Sequence, residues 1–171
     1  DYREVVEKNI KDCAAVIIEP ARNEIVNKKF IRSIRNLTKK NNCLLIFDEI
    51  TCAWRHETSG IHKEIGIDPD IATFGKTMAN GIPMAAIIGK KDIMRKSLDT
   101  FISSTNWTER LGPACSVAFL KKHMKLNLGK ILIKNGSKIR KIWEKNAKKN
   151  NLKIDISGIL PLSSFKFLNV D

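Results

Sequence analysis

The stretch that decides the fold runs from residue 44 to residue 83. It begins with LLIFDEI at 44–50, an apolar run that ends on acidic residues, and it closes with DIATFGKTMANGIP at 70–83. Each segment contains a short apolar run typical of a buried strand, and each run is followed by an ionisable residue, Asp48 or Lys76. Open α/β sheets bind their ligands beyond the carboxyl ends of the strands. The pattern therefore predicts that Asp48 and Lys76 lie beside each other at one edge of a sheet.

Two interpretations fit the spacing of Asp48 and Lys76. A carboxylate that directly follows an apolar strand is costly to bury without a cationic partner, so the two side chains could form a structural ion pair. Alternatively, Lys76 follows the apolar run 71–74, and desolvation there makes its amine easier to deprotonate and more nucleophilic. A nucleophilic lysine with a nearby aspartate suits pyridoxal phosphate, because the lysine forms a Schiff base and the aspartate holds the protonated ring nitrogen.

The rest of the chain shows alternating strand and helix patterns. Strands are predicted at 14–18, 43–47 and 71–74, with an antiparallel strand at 84–88 after the Asn80-Gly81 turn. The first strand is expected to be buried on both faces. Helices are predicted near 1–11, 28–41, 61–65, 90–97, 112–126 and 130–150, and two more strands near 152–157 and 163–169. The helix 28–41 has an apolar stripe formed by Phe30, Ile31, Ile34 and Leu37. In the last helix the expected core contacts are Ile131, Ile139, Ile142 and Trp143.

Four blocks stand in a characteristic order: AAVIIEP at 14–20, LLIFDEI at 44–50, DPDIATFGKTMANGIPMAAIIG at 68–89 and STNWTERLGPA at 104–114. Together they resemble the class III, fold-type I aminotransferases, the group that includes glutamate-1-semialdehyde aminomutase. The resemblance covers nearly the whole chain, which looks like the middle of a longer enzyme. It implies a three-layer α/β/α fold whose mostly parallel sheet has one antiparallel strand. Residues 1–126 would belong to the large cofactor-binding domain, and residues 127–171 would start a small α+β carboxyl-terminal domain.

The resemblance also implies roles for the residues of the central stretch. Lys76 would carry pyridoxal 5′-phosphate as an internal aldimine and would then act as general acid and base once the substrate amine displaces it. Asp48 would keep the ring nitrogen protonated. Ile50 would pack against one face of the ring, although a plain core position is the alternative. Glu19 matches the Glu-Pro strand end of the family and is expected near the cofactor. Glu49 is either part of a hydrogen-bond network or a solvated neighbour, and it stays outside the catalytic set.

Members of the family place a threonine ahead of a Gly-Asn-Pro-like turn, where it binds the cofactor phosphate of the partner subunit. Thr108 has the matching distance from Pro113, but the turn here is Leu111-Gly112-Pro113, so Thr105 is a competing candidate. A phosphate contact across subunits implies a homodimer.

A second departure from the family pattern concerns Arg22 and Asn23, which stand where many members have a glutamine. Arg22 either binds a substrate carboxylate with its planar fork or is a surface arginine, with Glu24 as a possible partner.

The formal net charge of +13 raises the alternative of a basic nucleic-acid-binding protein without catalysis, or of an inactive fragment. The lysines are scattered through helices such as 134–150, without interleaved aromatic residues that would stack on bases. This pattern argues against a nucleic-acid partner, and the family resemblance implies a small amino or keto substrate instead. No apolar run approaches ~20 residues, so no membrane span is predicted and a cytoplasmic location is the default. No metal site is predicted, because the Cys and His residues lack ligand spacing. Aminomutase and intermolecular transaminase both remain open.

Overall fold

The structure is a computed structural model and describes residues 2–168. Its central sheet has four strands in the order β1-β2-β3-β4. The strands are β1 (Ala15–Ile18), β2 (Leu44–Asp48), β3 (Ile71–Phe74) and β4 (Ala86–Gly89). The first three strands run parallel, and β4 runs antiparallel to β3. The predicted sheet, mostly parallel with one antiparallel strand, is confirmed.

Residues 2–168 also form six α-helices and a second, two-stranded sheet. The helices are α1 (Tyr2–Asn9), α2 (Lys28–Lys40), α3 (His62–Ile65), α4 (Lys91–Met94), α5 (Leu111–Leu126) and α6 (Leu128–Lys149). Strands β5 (Ile154–Ser157) and β6 (Ser164–Phe167) pair antiparallel in a separate two-stranded sheet. The predicted strand 163–169 extends to residue 169, which lies outside the described residues. Within residues 2–168, none of the helices combines the length and the apolar character needed to cross a bilayer.

The main core lies between α2 and one face of the sheet. Asn27 caps the helix, because its side chain accepts a hydrogen bond from Lys29 N at 2.8 Å. Ile31 and Ile34 are fully buried in the cluster that contains the strand residues Leu45 and Phe47. Ile31 and Ile34 are three residues apart on one helix face, and Leu45 and Phe47 are two residues apart on one strand face, as the two periodicities require. The predicted apolar stripe of the helix is therefore confirmed.

The opposite face of the sheet is open. Ile17 pairs in register with Ile46, Asp48 pairs with Thr73, and Thr73 also pairs with Ile87, so all five residues share this face. Ile17 and Ile87 are 67% and 61% exposed, because the described helices pack against the other face. The prediction that the first strand is buried on both faces is wrong for residues 2–168.

The core contacts predicted for α6 are also wrong. Ile131, Ile139 and Ile142 are between 43% and 56% exposed. Of the four predicted residues, only Trp143 packs on an aromatic neighbour, with its ring centroid 4.9 Å from that of Phe165.

Small residues make the contact of α6 instead. Gly129, Gly136 and Ala147 are the buried residues of this helix. A Cβ atom at Gly136 would clash with the carbonyl oxygen of Leu160. The backbone of α6 therefore approaches its neighbours closely, which a search for large apolar side chains does not detect.

A buried carboxylate ties the amino end of β3 to its surroundings. Asp70 Oδ2 accepts hydrogen bonds from Arg35 Nη1 of α2 at 2.6 Å and from Leu45 N of β2 at 2.8 Å. Lys90, just after β4, donates to Asp70 Oδ1 at 2.5 Å. Burial raises the pKa of Asp70, but the hydrogen bonds from Arg35, Leu45 N and Lys90 outweigh it and lower the pKa to about 2. The sequence indicated only that Asp70 opens the strand.

We expect Asp70→Asn to lower the free energy of unfolding by about 3 kcal/mol, because it leaves the buried Arg35 without its anion. The depressed pKa adds a pH dependence. The stabilisation from Asp70 is complete above the ordinary pKa of 3.8 and is lost as the pH falls towards 2. The loss should amount to about 2 kcal/mol, since one pKa unit corresponds to ~1.4 kcal/mol.

Urea unfolding monitored at several pH values measures both effects. Asp68→Asn is the matched control, because Asp68 is 75% exposed in its ion pair with Lys63 and should change stability little. Equal unfolding free energies for the two variants would contradict the role of Asp70.

Candidate active site

The carboxyl edge of the sheet gathers the three ionisable residues that follow its parallel strands. Asp48 ends β2, Glu19 directly follows β1, and Lys76 comes two residues after the end of β3. Because these strands are parallel neighbours, their carboxyl ends meet at the same edge. This is the edge at which the sequence places them.

One oxygen of Asp48 is engaged locally and the other is free. Asp48 Oδ1 accepts a hydrogen bond from Ile50 N at 3.1 Å and a long one from Thr73 Oγ1 at 3.4 Å. Among residues 2–168, no group donates a hydrogen bond to Oδ2. Ile50 lies over Gly75, since a Cβ atom at Gly75 would be 3.5 Å from Ile50 Cγ2. The edge thus combines a carboxylate oxygen open to a donor with an apolar side chain beside Lys76.

The exposure and the contacts of Lys76 both differ from those that the sequence predicts. Its side chain is exposed, because β3 ends at Phe74 and Lys76 begins a 3-10 helix beyond the sheet. Among residues 2–168, no ion pair joins it to Asp48; its Nζ donates instead to Thr51 Oγ1 at 2.8 Å. The predicted desolvation and the structural ion pair are therefore both wrong for this structure.

The backbone at Lys76 is strained. Its φ of 46° lies in the left-handed region, which costs a non-glycine residue free energy and is concentrated at active sites and ligand clamps. The left-handed backbone was not predictable from the sequence, because lysine has no preference for this conformation.

Glu49 is fully buried, so the interpretation as a solvated neighbour is wrong and the network interpretation fits. Its carboxylate accepts hydrogen bonds from Ile61 N at 2.5 Å, from His62 N at 3.2 Å and from His62 Nδ1 at 2.5 Å. A Cβ atom at Gly60 would lie 2.5 and 2.6 Å from the two carboxylate oxygens, so a side chain there would displace the Glu49 carboxylate. Burial, and then the charge of Glu49, raise the pKa of Cys52 to about 12, which keeps that thiol protonated.

A second anchor of the segment after β2 is Trp54. Its ring centroid lies 5.1 Å from that of Phe74 in β3 and 6.2 Å from that of Phe119 in α5. The buried His123 forms a hydrogen bond with the carbonyl oxygen of Trp54 at 2.7 Å. Together with Glu49, these contacts fix the segment that carries Thr51 at the edge of the sheet.

Glu19 forms an ion pair with Arg22, with 3.5 Å between its Oε2 and Arg22 Nη1. The side chain of Arg22 is 69% exposed in this pair. Glu24 contributes only its carbonyl oxygen, which accepts a hydrogen bond from Arg22 N at 3.1 Å. The possible pair between Arg22 and the Glu24 carboxylate is therefore not formed.

Thr105 and Thr108 lie in the exposed segment that precedes α5. Within the described residues, no hydrogen bond joins either side chain to Asp48 or Lys76. Their neighbours Phe101 and Trp107 are 96% and 63% exposed, so this segment presents an apolar surface. The structure thus brings Glu19, Asp48, Ile50 and Lys76 to one edge, and no hydrogen bond within residues 2–168 connects the two threonines to Asp48 or Lys76.

A mixed sheet with an aspartate and a lysine beyond the ends of adjacent parallel strands is the arrangement of a fold-type I transferase. Comparison with known proteins identifies the family. The chain belongs to the class III aminotransferases, because the family model "Aminotransferase class-III" matches residues 1–158.

Two relatives illustrate this similarity. The chain is 30% identical over 171 residues to 3-aminobutyryl-CoA aminotransferase of Cloacimonas acidaminovorans, with 95% of this chain and 41% of that protein covered. It is 40% identical over 98 residues to glutamate-1-semialdehyde 2,1-aminomutase of Nitrosopumilus maritimus, with 55% of this chain and 23% of that protein covered. The chain therefore spans less than half the length of these relatives.

Solved structures show the same fold. The "PLP internal aldimine form of Sphingopyxis sp. MTA144 FumI protein" superposes with a TM-score of 0.90 at 22% identity, covering 98% of this chain and 42% of that one. Ornithine δ-aminotransferase of Plasmodium falciparum superposes with a TM-score of 0.81 at 24% identity, covering 98% and 46%. The predicted three-layer α/β fold is therefore confirmed as the fold to which the chain belongs, and residues 2–168 supply its sheet and the helices of one face.

We expect Glu49→Gln to loosen the segment after β2. The amide cannot accept all three hydrogen bonds of the carboxylate, so buried donors lose their partner. Amide hydrogen exchange of residues 51–62 should accelerate by about tenfold or more. Glu57→Gln in the same segment is the control, because Glu57 is exposed. Unchanged exchange in Glu49→Gln would show that this carboxylate does not hold the segment.

Proposed function

We propose that the chain is part of a pyridoxal-phosphate-dependent enzyme that transfers an amino group. Membership of the class III aminotransferases supports the reaction class. The observation that carries the proposal is the meeting of Asp48 and Lys76 at the carboxyl edge of one sheet. When bound, pyridoxal phosphate supplies an electron sink for the electrons of a broken bond at the substrate α-carbon.

The residues at this edge fit that cofactor. Asp48 Oδ2 has no donor within residues 2–168, so it is available to accept a hydrogen bond from a protonated ring nitrogen. The Lys76 amine is exposed at the same edge and is proposed to attack the aldehyde carbon of the cofactor. Ile50, beside Gly75, offers an apolar surface for one ring face.

Each of these side chains has a proposed task. Lys76 would hold the cofactor covalently and, when released, would take the proton from the substrate α-carbon and return it as general acid. Asp48 holds the proton on the ring nitrogen, and its loss would weaken cofactor binding as well as slow the reaction. Glu19 is proposed to lie near the cofactor while it orients Arg22.

The proposed substrate is a small amino or keto compound. The similar proteins include an aminotransferase, an aminomutase and the 2′-deamino-2′-hydroxyneamine transaminase of Streptomyces kanamyceticus. An aminomutase and an intermolecular transaminase would use Asp48 and Lys76 alike, so both fall within the proposal.

The proposed assembly is a homodimer in which Thr108, or Thr105, binds the cofactor phosphate of the other subunit. The exposed Phe101 and Trp107 beside these threonines support an interface at this segment. Residues 127–171 are proposed to begin the small domain, after the left-handed Asn127 that separates α5 from α6. A cytoplasmic location and the lack of a nucleic-acid partner stay predictions.

Borohydride reduction of the full-length protein with its cofactor should leave a phosphopyridoxyl group on Lys76 and on no other lysine. Lys76 lies at the same sheet edge as Asp48, whose Oδ2 is open to a donor, whereas Lys90 is paired with the buried Asp70 at the amino end of β3. Lys76→Ala should abolish turnover and labelling yet keep the fold, because it strands no buried charge. Peptide mapping by mass spectrometry identifies the labelled residue, and Lys91→Ala, at an exposed lysine outside the site, is the control. A label on Lys90, Lys91 or the helix 134–150 would contradict the assignment.

Trp107→Lys in the full-length protein should convert the dimer to a monomer that loses its cofactor. A charge placed in a two-fold interface is buried twice without a partner. Sedimentation velocity measures the assembly, and Tyr2→Lys, at another aromatic residue that is 84% exposed, is the control. If the parent protein sediments as a monomer with cofactor bound, the shared site is excluded.

A further inference from the structure

The Lys76 amine has one specific contact in the structure. Its Nζ donates to Thr51 Oγ1 at 2.8 Å, a good hydrogen-bond length. Among residues 2–168, no other hydrogen bond and no ion pair reaches this amine. Thr51 lies on the segment after β2, 25 residues away in sequence, so the contact is a tertiary one.

Thr51 is itself held in place from both sides. On one side, the hydrogen bond from Ile50 N to Asp48 Oδ1 forms a turn that directs the chain into Thr51. On the other side, Arg55 Nε donates to the Thr51 carbonyl oxygen at 2.7 Å. The hydroxyl therefore sits on an ordered backbone, and the same carboxylate that shapes the turn is the proposed partner of the ring nitrogen.

Lys76 is fixed at its backbone as well. The left-handed φ of 46° sets the direction in which the chain leaves β3. Met78 N then donates to the carbonyl oxygen of Gly75 at 3.0 Å and closes the first turn of the 3-10 helix. With both backbones ordered, the hydrogen bond selects one position of a long side chain that would otherwise have several rotatable bonds.

We propose that Thr51 is a positioning residue that holds the Lys76 amine at the carboxyl edge, ready for covalent attachment to the cofactor. This inference rests on the proposed function. Attachment forms a C=N bond between Lys76 Nζ and the aldehyde carbon, and the aldehyde oxygen leaves as water. Borohydride then adds hydride to that carbon and makes the bond permanent.

A hydroxyl group suits this task better than a carboxylate would. A carboxylate within hydrogen-bond distance favours the charged ammonium form, which has no lone pair for attack. The hydroxyl oxygen accepts the same hydrogen bond without a net charge, so it orients the amine with less hindrance to deprotonation.

Timed attachment tests this role. Cofactor-free full-length protein is mixed with pyridoxal phosphate, quenched with borohydride at intervals and mapped for the label on Lys76. Thr51→Val keeps the shape of the side chain and removes the acceptor, so attachment should slow roughly five- to tenfold. Thr51→Ser keeps the hydroxyl and should retain the rate of the parent protein.

A second measurement separates positioning from access. Trace acetylation of the cofactor-free protein with acetic anhydride compares Lys76 with the exposed Lys148, which has no part in the site. The relative reactivity of Lys76 should not fall in Thr51→Val, because a small reagent needs no fixed direction of attack. Thr51→Ala replaces Thr51→Val if thermal unfolding shows that valine disturbs the fold.

The outcomes are distinct. Equal attachment rates in Thr51→Val and the parent protein would overturn the inference while the proposed function stands. Slow attachment in Thr51→Ser, or a matching loss of acetylation in Thr51→Val, would likewise show that positioning by the hydroxyl is not the cause. If the parent protein carries no label on Lys76 at all, the proposed function itself fails.

Discussion

The buried carboxylate of Asp70 is the contact on which the arrangement of the sheet depends. Through Arg35, Leu45 N and Lys90 it connects α2, the start of β2 and the residue after β4. Isolated charge at this depth would be strongly unfavourable, so the network is stable only when its partners are in place. Asp70 and Lys76 lie at opposite ends of the four residues of β3. The amino end of this strand is therefore fixed by the Asp70 network, and the carboxyl end leads to Lys76, the proposed reactive residue.

Successive side chains of a strand point to opposite faces, so the two acids at the end of β2 lie in different environments. Asp48 lies on the open face of the sheet, while Glu49 points into the protein and caps the start of α3. The same two-residue sequence thus supplies an acid available to a ligand and an acid that holds the neighbouring segment. Because Gly60 leaves no room for a side chain beside Glu49, the anchoring depends on both residues.

The sequence was sufficient for the parts of the fold that follow from local patterns. The apolar runs before Asp48 and Lys76, and the stripe on α2, each report burial through spacing alone. The network around Asp70 was not predictable in this way, since Arg35 and Lys90 lie 35 and 20 residues away. The contact from Lys76 to Thr51 and the left-handed backbone at Lys76 depend on tertiary geometry for the same reason. The packing of α6 was not predictable from apolar spacing, because the buried positions of this helix include two glycines, which give no apolar signal.

The open face of the sheet affects how readily the chain aggregates in a crowded solution. Ile17 and Ile87 expose branched apolar side chains on extended strands. Exposed apolar surface of this kind promotes association with unfolded or partly folded chains. While that face is uncovered, aggregation with neighbouring chains competes with burial of the face. Chaperones that bind exposed apolar surface would therefore engage this segment early, and its yield on expression would depend on temperature and concentration.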